Sequence, residues 1–183
     1  QTIQNRSSRY LPLHHWQCRH EPAPRQATYR NPASWYIYRQ SRYSPRLQGW
    51  PQHDCSTQRI LDEVGREQSR QIGNAFRNAG LRFEGVYSSQ WCRCLETARL
   101  INMGKVQELT GLNSFFQGIV QREATLASLR KFLQDLPPDG DPVLLVTHQV
   151  TISAITGMGV SSGAAVAYDP VSDQAQRVTL PTD

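Results

Sequence analysis

Residues 143–149 read Val-Leu-Leu-Val-Thr-His-Gln, an apolar, partly β-branched run that stops abruptly on a histidine. A continuous run of this length fits a parallel strand buried on both faces, because an alternating pattern would leave one face in water. Strands of this kind belong to sheets covered by helices, and ligands bind there at the carboxyl ends of the strands. His148 therefore falls where a ligand would be. The competing reading is a histidine that caps the strand end by bonding to the next loop.

Strand and helix patterns alternate along the rest of the chain. Ser34–Tyr38 is the first strand, and residues 41–58 are a loop carrying Pro45, Gly49 and Pro51. Leu61, Val64, Ile72, Ala75, Phe76 and Ala79 give a helical stripe over 61–79, closed by Asn78-Ala79-Gly80. A second strand is expected over 83–87, ending in Ser88-Ser89, then a helix over 91–102 with Leu95, Ala98 and Ile101 inward. Residues 103–118 read as a loop with a short strand at 106–109. A helix over 123–136, with Ala127, Phe132 and Leu136 among its apolar positions, stops at Pro137-Pro138-Asp139-Gly140. After the strand at 143–147 come a short helix over 151–155 and two edge strands, 166–168 and 177–180. The fold class is α/β: a three-layer sandwich with a mostly parallel central sheet flanked by helices. Residues 1–33 are polar and aperiodic and read as an irregular basic arm, which leaves 34–183 as one domain.

Charge and cysteine usage narrow the partners. The net charge is +5, and residues 1–53 carry eight arginines against one acid, Glu21. Arginine outnumbers lysine eighteen to two. Guanidinium forks match phosphate and carboxylate, so anionic ligands suit the composition, while clustered arginine alone is weak evidence for nucleic acid. No stretch is long and apolar enough to span a membrane. The chain opens on Gln1, so a removed leader stays open; a periplasmic or secreted location follows in that case and a cytoplasmic one otherwise. Cys18-x-His20, His53-x-Cys55 and Cys92-x-Cys94 have gaps too short for the usual zinc spacing, so no metal is expected. A disulfide from Cys55 to either Cys92 or Cys94 fits an oxidising compartment.

Two strand ends carry polar groups in equivalent positions. One is Ser88-Ser89-Gln90-Trp91-Cys92-Arg93, where a strand passes into a helix. The other is Thr147-His148-Gln149. A helix N-terminus with an arginine in its first turn makes a phosphate pocket from free N–H groups and a bidentate donor. Here the chain resembles the histidine phosphatase (phosphoglycerate-mutase-like) superfamily. Tyr87–Ala98 is similar to that family's "SS…R…TA" block, and Val143–Gln149 is similar to its second-histidine block. Asp54–Arg59, followed by Leu61–Gln68, is similar to the segment after its first motif. Three blocks in order, over about residues 35–168, make the resemblance specific.

The resemblance implies a phosphomonoester hydrolase. A first histidine, in an Arg-His pair, attacks phosphorus. That arginine, a second arginine and a second histidine hold the phosphoryl oxygens, and an acid protonates the leaving oxygen. By motif, the second arginine is Arg93 and the second histidine His148.

The first motif has two placements. Trp35-Tyr-Ile-Tyr-Arg39-Gln40 has the better strand and a suitable loop to Asp54, but Gln40 then stands in the nucleophile slot, where an amide is not nucleophilic. Cys18-Arg19-His20 has the Arg-His pair, but behind a poor strand containing Pro12 and thirty-four residues ahead of Asp54. The first placement is favoured, with His20 as the alternative nucleophile. Leu112–Phe116 occupies the region where relatives keep a glutamate and offers none, so Glu108, Glu123 and Asp54 are the candidate acids. Phe115 and Phe116 are candidate pocket walls or core. The expected ligand is a small phosphorylated substrate or inorganic phosphate. Without the nucleophile, the chain would be an inactive relative that still binds phosphate through Arg39, Arg93 and His148.

Overall fold

The computed structural model describes residues 34–38, 54–118 and 120–179. The arm at 1–33, Arg39, Gln40 and the loop to His53 lie outside the described residues. Six strands form one sheet: β1 Ser34–Tyr38, β2 Gly85–Ser88, β3 Val106–Glu108, β4 Val143–Thr147, β5 Ala165–Asp169 and β6 Gln174–Val178. Their spatial order is β3-β2-β4-β1-β5-β6. Pairings from β3 through β1 are parallel, whereas β5 and β6 run antiparallel. The expectation of two edge strands needs correction. β5 is interior, between β1 and β6, and only β6 is an edge; it ends at Val178, and Leu180 lies outside the described residues.

Helices α1 Glu63–Asn78, α2 Cys92–Ile101, α3 Arg122–Gln134 and α4 Gln149–Thr156 complete three layers. All five residues of β4 are buried, as its composition requires. Its side chains alternate between two cores. Leu144 and Val146 meet Ile72 and Phe76 of α1 and Ala98 and Ile101 of α2. Val143 and Leu145 meet Leu129 and Leu133 of α3 and Ile152 of α4. Fully burying a side chain such as Leu145 contributes about 2 kcal/mol. Among the described residues no helix is long and apolar enough to cross a membrane.

Local chemistry sets the helix ends. The Asp62 carboxylate accepts from Gly65 N at 2.7 Å and starts α1 at Glu63, inside the start of the apolar stripe at Leu61. Leu61 is buried ahead of the helix, while Val64 and Ala79 face solvent. On α3 the buried positions are Leu126, Leu129 and Leu133; Ala127 is exposed, because the inward stripe lies one residue off the expected one. α1 and α2 pack backbone to side: a Cβ added to Gly73 would sit 2.0 Å from the Ile101 carbonyl oxygen, so only glycine permits this approach. Arg66 Nε donates to Glu96 at 2.6 Å across the same pair of helices.

A disulfide joins Cys55 to Cys92, the first residue of α2. It resolves the open choice against Cys94, which is free and buried. Among the described residues no cluster of side chains has a metal-holding arrangement.

Candidate active site

Strand register brings the polar strand ends together. Tyr38 pairs with Thr147 and Ser88 with Val146. The residues that follow β2 and β4 therefore emerge side by side at the carboxyl edge of the sheet. Ser89 N donates to Val146 O at 2.9 Å, which fixes the β2 exit against β4.

His148 is 2% exposed and occupies the N-cap position of α4, yet its side chain makes no capping bond. The ring thus does not cap α4. Instead the ring is held on three sides. Arg93 Nη2 lies 3.1 Å from Nδ1, and Ser89 Oγ lies 2.8 Å from Nε2. Trp91 packs edge-on against the ring at 5.1 Å, and the Arg93 guanidinium stacks over the Trp91 indole at 4.7 Å. Cys94 Sγ lies 3.7 Å from Nε2. Burial, and then the Arg93 charge, hold the His148 pKa well below its ordinary 6.5. Burial pushes the Cys94 thiol up to about 11, so a neutral thiol sits beside a neutral imidazole.

The neutral ring carries a stability consequence. Its folded-state pKa is depressed, so its contribution is complete above pH 6.5 and is lost as pH falls toward the folded value, where only the unfolded chain takes the proton. Across that window the slope approaches about 1.4 kcal/mol per pH unit for one proton. The gap in urea midpoint between wild type and His148→Gln should therefore be constant above pH 6.5 and narrow as pH falls below it. Curves that stay parallel below pH 6.5 would contradict a buried neutral imidazole.

The helix N-terminus behaves differently from expectation. Its first N–H and the two ahead of it are engaged within the protein. Cys92 N donates to Gln58 Oε1 at 2.8 Å, Gln90 N to Asn113 Oδ1 at 2.9 Å, and Trp91 N to Ser89 Oγ at 3.4 Å. The Arg93 guanidinium carries the charge of this cluster.

The candidate acids lie outside this cluster. Glu108, at the end of β3, is exposed and touches the site only through Gln90, whose Nε2 donates to it at 3.2 Å. Asp54 accepts from the Ser56 hydroxyl and backbone N–H, which together lower its pKa and cap the turn at Cys55–Thr57. Glu123 is exposed and paired with its neighbour Arg122. Phe115 is half-buried under the Arg122 guanidinium and Phe116 is 62% exposed, so neither is core. Arg39, Gln40 and His20 lie outside the described residues. Ser89, Trp91 and Asn113 lie in stretches the sequence marked out, but no role at the site was assigned to them there.

The geometry now has a family. A model of the histidine phosphatase superfamily (branch 1) matches residues 38–131, and the chain belongs to that superfamily. Solved structures share the fold at low identity. The protein histidine phosphatase SixA, complexed with tungstate, is 15% identical with a TM-score of 0.51, over 81% of this chain and 96% of its own. A mycobacterial glucosyl-3-phosphoglycerate phosphatase is 16% identical with a TM-score of 0.54, over 82% and 97%. The ecdysone phosphate phosphatase of Bombix mori, also with tungstate, is 16% identical with a TM-score of 0.51, over 68% and 73%. No curated protein is a significant match.

Proposed function

We propose that the protein binds a phosphate ester or inorganic phosphate through Arg93 and Arg39, with His148 holding the Arg93 guanidinium, and does not turn it over through a phosphohistidine. The observation that carries this reading is the Arg93–His148 pair, 3.1 Å apart and packed against Trp91, beside a strand end whose next residues are Arg39 and Gln40. Two facts support the register. The family match opens at Tyr38, and Tyr38 pairs with Thr147, so Arg39 and Gln40 follow β1 as His148 follows β4. His20, the alternative nucleophile, precedes the matched region.

Arg93 supplies a fixed charge and a planar fork, which suits an anion better than a lysine would. The Gln40 amide can donate a hydrogen bond to a phosphate oxygen, but its nitrogen lone pair is delocalised into the carbonyl and does not attack phosphorus. The similar structures are a protein histidine phosphatase, a glucosyl-3-phosphoglycerate phosphatase and an ecdysone phosphate phosphatase, so the chemistry they share is the phosphoryl group itself.

Tungstate and phosphate are the probes. Calorimetry should show binding by the full chain, weakened about thirtyfold in Arg93→Ala, as expected for a charge-assisted bond worth about 2 kcal/mol. His20→Ala should bind as wild type does. No anion binding by the wild-type chain overturns the reading. Phosphatase turnover that disappears in His20→Ala overturns its non-hydrolytic half.

A further inference from the structure

We infer that Asn113 is a positioning residue: through the Ser89 hydroxyl it fixes His148 as the Nε2–H tautomer, with the Nδ1 lone pair turned toward Arg93.

The backbone N–H of Gln90 only donates, so the Asn113 atom 2.9 Å away is the amide oxygen. The same oxygen lies 3.1 Å from Ser89 Oγ, so the Ser89 proton goes to Asn113. The opposite end of the amide agrees, since Asn113 Nδ2 donates to Gln90 Oε1 at 2.9 Å. With its one proton spent, Ser89 Oγ only accepts. It takes the Trp91 N–H at 3.4 Å and a proton from His148 Nε2 at 2.8 Å. Nε2 therefore carries the hydrogen.

The far side of the ring gives the same answer independently. A guanidinium has donors and no acceptor, so His148 Nδ1, 3.1 Å from Arg93 Nη2, presents a lone pair. Two donor-only groups, Gln90 N–H and Arg93, thus bracket a four-residue chain and leave one proton arrangement.

The chain is rigid because its origin is. Asn113 is 2% exposed, closes the turn at Thr110–Leu112, and gives its carbonyl to Thr151 Oγ1 at 3.3 Å. Leu112 O accepts from Thr147 Oγ1 at 2.6 Å. Gly111 lets this turn press on α3, because a Cβ there would meet Leu129 N at 2.8 Å. The turn is consequently tied to β4, α3 and α4 at once, and Asn113 has little freedom to follow the ring.

The consequence for anion affinity rests on the function proposed above; the tautomer does not. A ring locked this way gives its lone pair to Arg93 and steadies that guanidinium for an anion. In the other tautomer an N–H would face the guanidinium and lose that hold.

Nitrogen-15 NMR of the histidine ring in the full-length chain tests this, with His148 assigned by its loss in His148→Gln. Wild type should show a protonated-type Nε2 and an unprotonated Nδ1. Asn113→Ala frees the Ser89 hydroxyl to donate to the ring and should give averaged shifts. Asn113→Asp keeps the acceptor and should restore the wild-type pattern. A purely structural role for Asn113 would leave the shifts unmoved. Tungstate affinity should fall about tenfold in Asn113→Ala, as for lost outer partners generally. An Nδ1–H pattern in wild type, or an unaltered pattern in folded Asn113→Ala, overturns the inference. If Asn113→Ala does not fold, the wild-type pattern and Ser89→Ala decide it. Absence of tungstate binding with the expected tautomer intact would refute the proposed function and not the tautomer.

Discussion

Gln40→His is expected to turn the protein into a phosphomonoesterase, raising turnover of an aryl phosphate at least about a thousandfold over wild type. The reasoning is electronic. A neutral imidazole nitrogen has a lone pair in the ring plane and attacks phosphorus; a carboxamide nitrogen does not. In the variant the N–P bond forms as the P–O ester bond breaks, and the phenolate leaves with the bonding pair. Water then cleaves the phosphohistidine, releasing phosphate and returning a proton to solution. An aryl ester is the right first substrate because a phenolate leaves without a proton, so no acid has to act. An alkyl ester should respond less, since Glu108 reaches the cluster only by way of Gln90. Continuous phenolate release, with trapping of acid-labile phosphoenzyme, reads both steps. A folded, tungstate-binding Gln40→His that stays at the wild-type rate would show that position 40 is not the nucleophile slot.

Reducing the Cys55–Cys92 disulfide is expected to cost about 4 kcal/mol of stability. The bond spans a sequence separation of 37, and tying so long a loop removes much of the unfolded chain's freedom. The native state also holds the loop at this point, through Gln58 Oε1 on the Cys92 N–H. Arg93 follows Cys92 directly, so loosening the clip should weaken anion binding as well as stability. Urea unfolding with and without reductant measures the first effect, and a Cys55→Ala/Cys92→Ala double variant measures it without reductant. Cys94 stays silent in the folded state, because it is buried and its thiol is held protonated. Superimposed unfolding curves would show that the crosslink does not stabilise the fold.

Much of this was legible in residue order. The run at 143–147 announced a doubly buried strand because every one of its side chains had to be covered, and the abrupt switch to His148 marked the carboxyl edge of the sheet. Arg93 and His148 were recoverable because each sits next to an element boundary, where sequence and space stay close. The failures share a cause. Asn113 reaches Ser89 across a separation of 24 residues, and no local pattern encodes that meeting. The α2 N-terminus looked open to an anion because its partners, Gln58 and Asn113, arrive from other segments. β5 read as an edge because its apolar run is short; the strand order that buries it depends on where β1 returns.

The two margins of the sheet bear on how these molecules behave toward one another. β3 is only three residues long, too short to template an added strand. β6 carries exposed Gln174, Gln176 and Arg177, and the Arg177 guanidinium is occupied by the Gly159 carbonyl. Short, polar or charged borders deny an incoming chain the long flat apolar ladder that strand-to-strand growth needs. Crowded solutions of this protein are thus disfavoured from joining sheet to sheet.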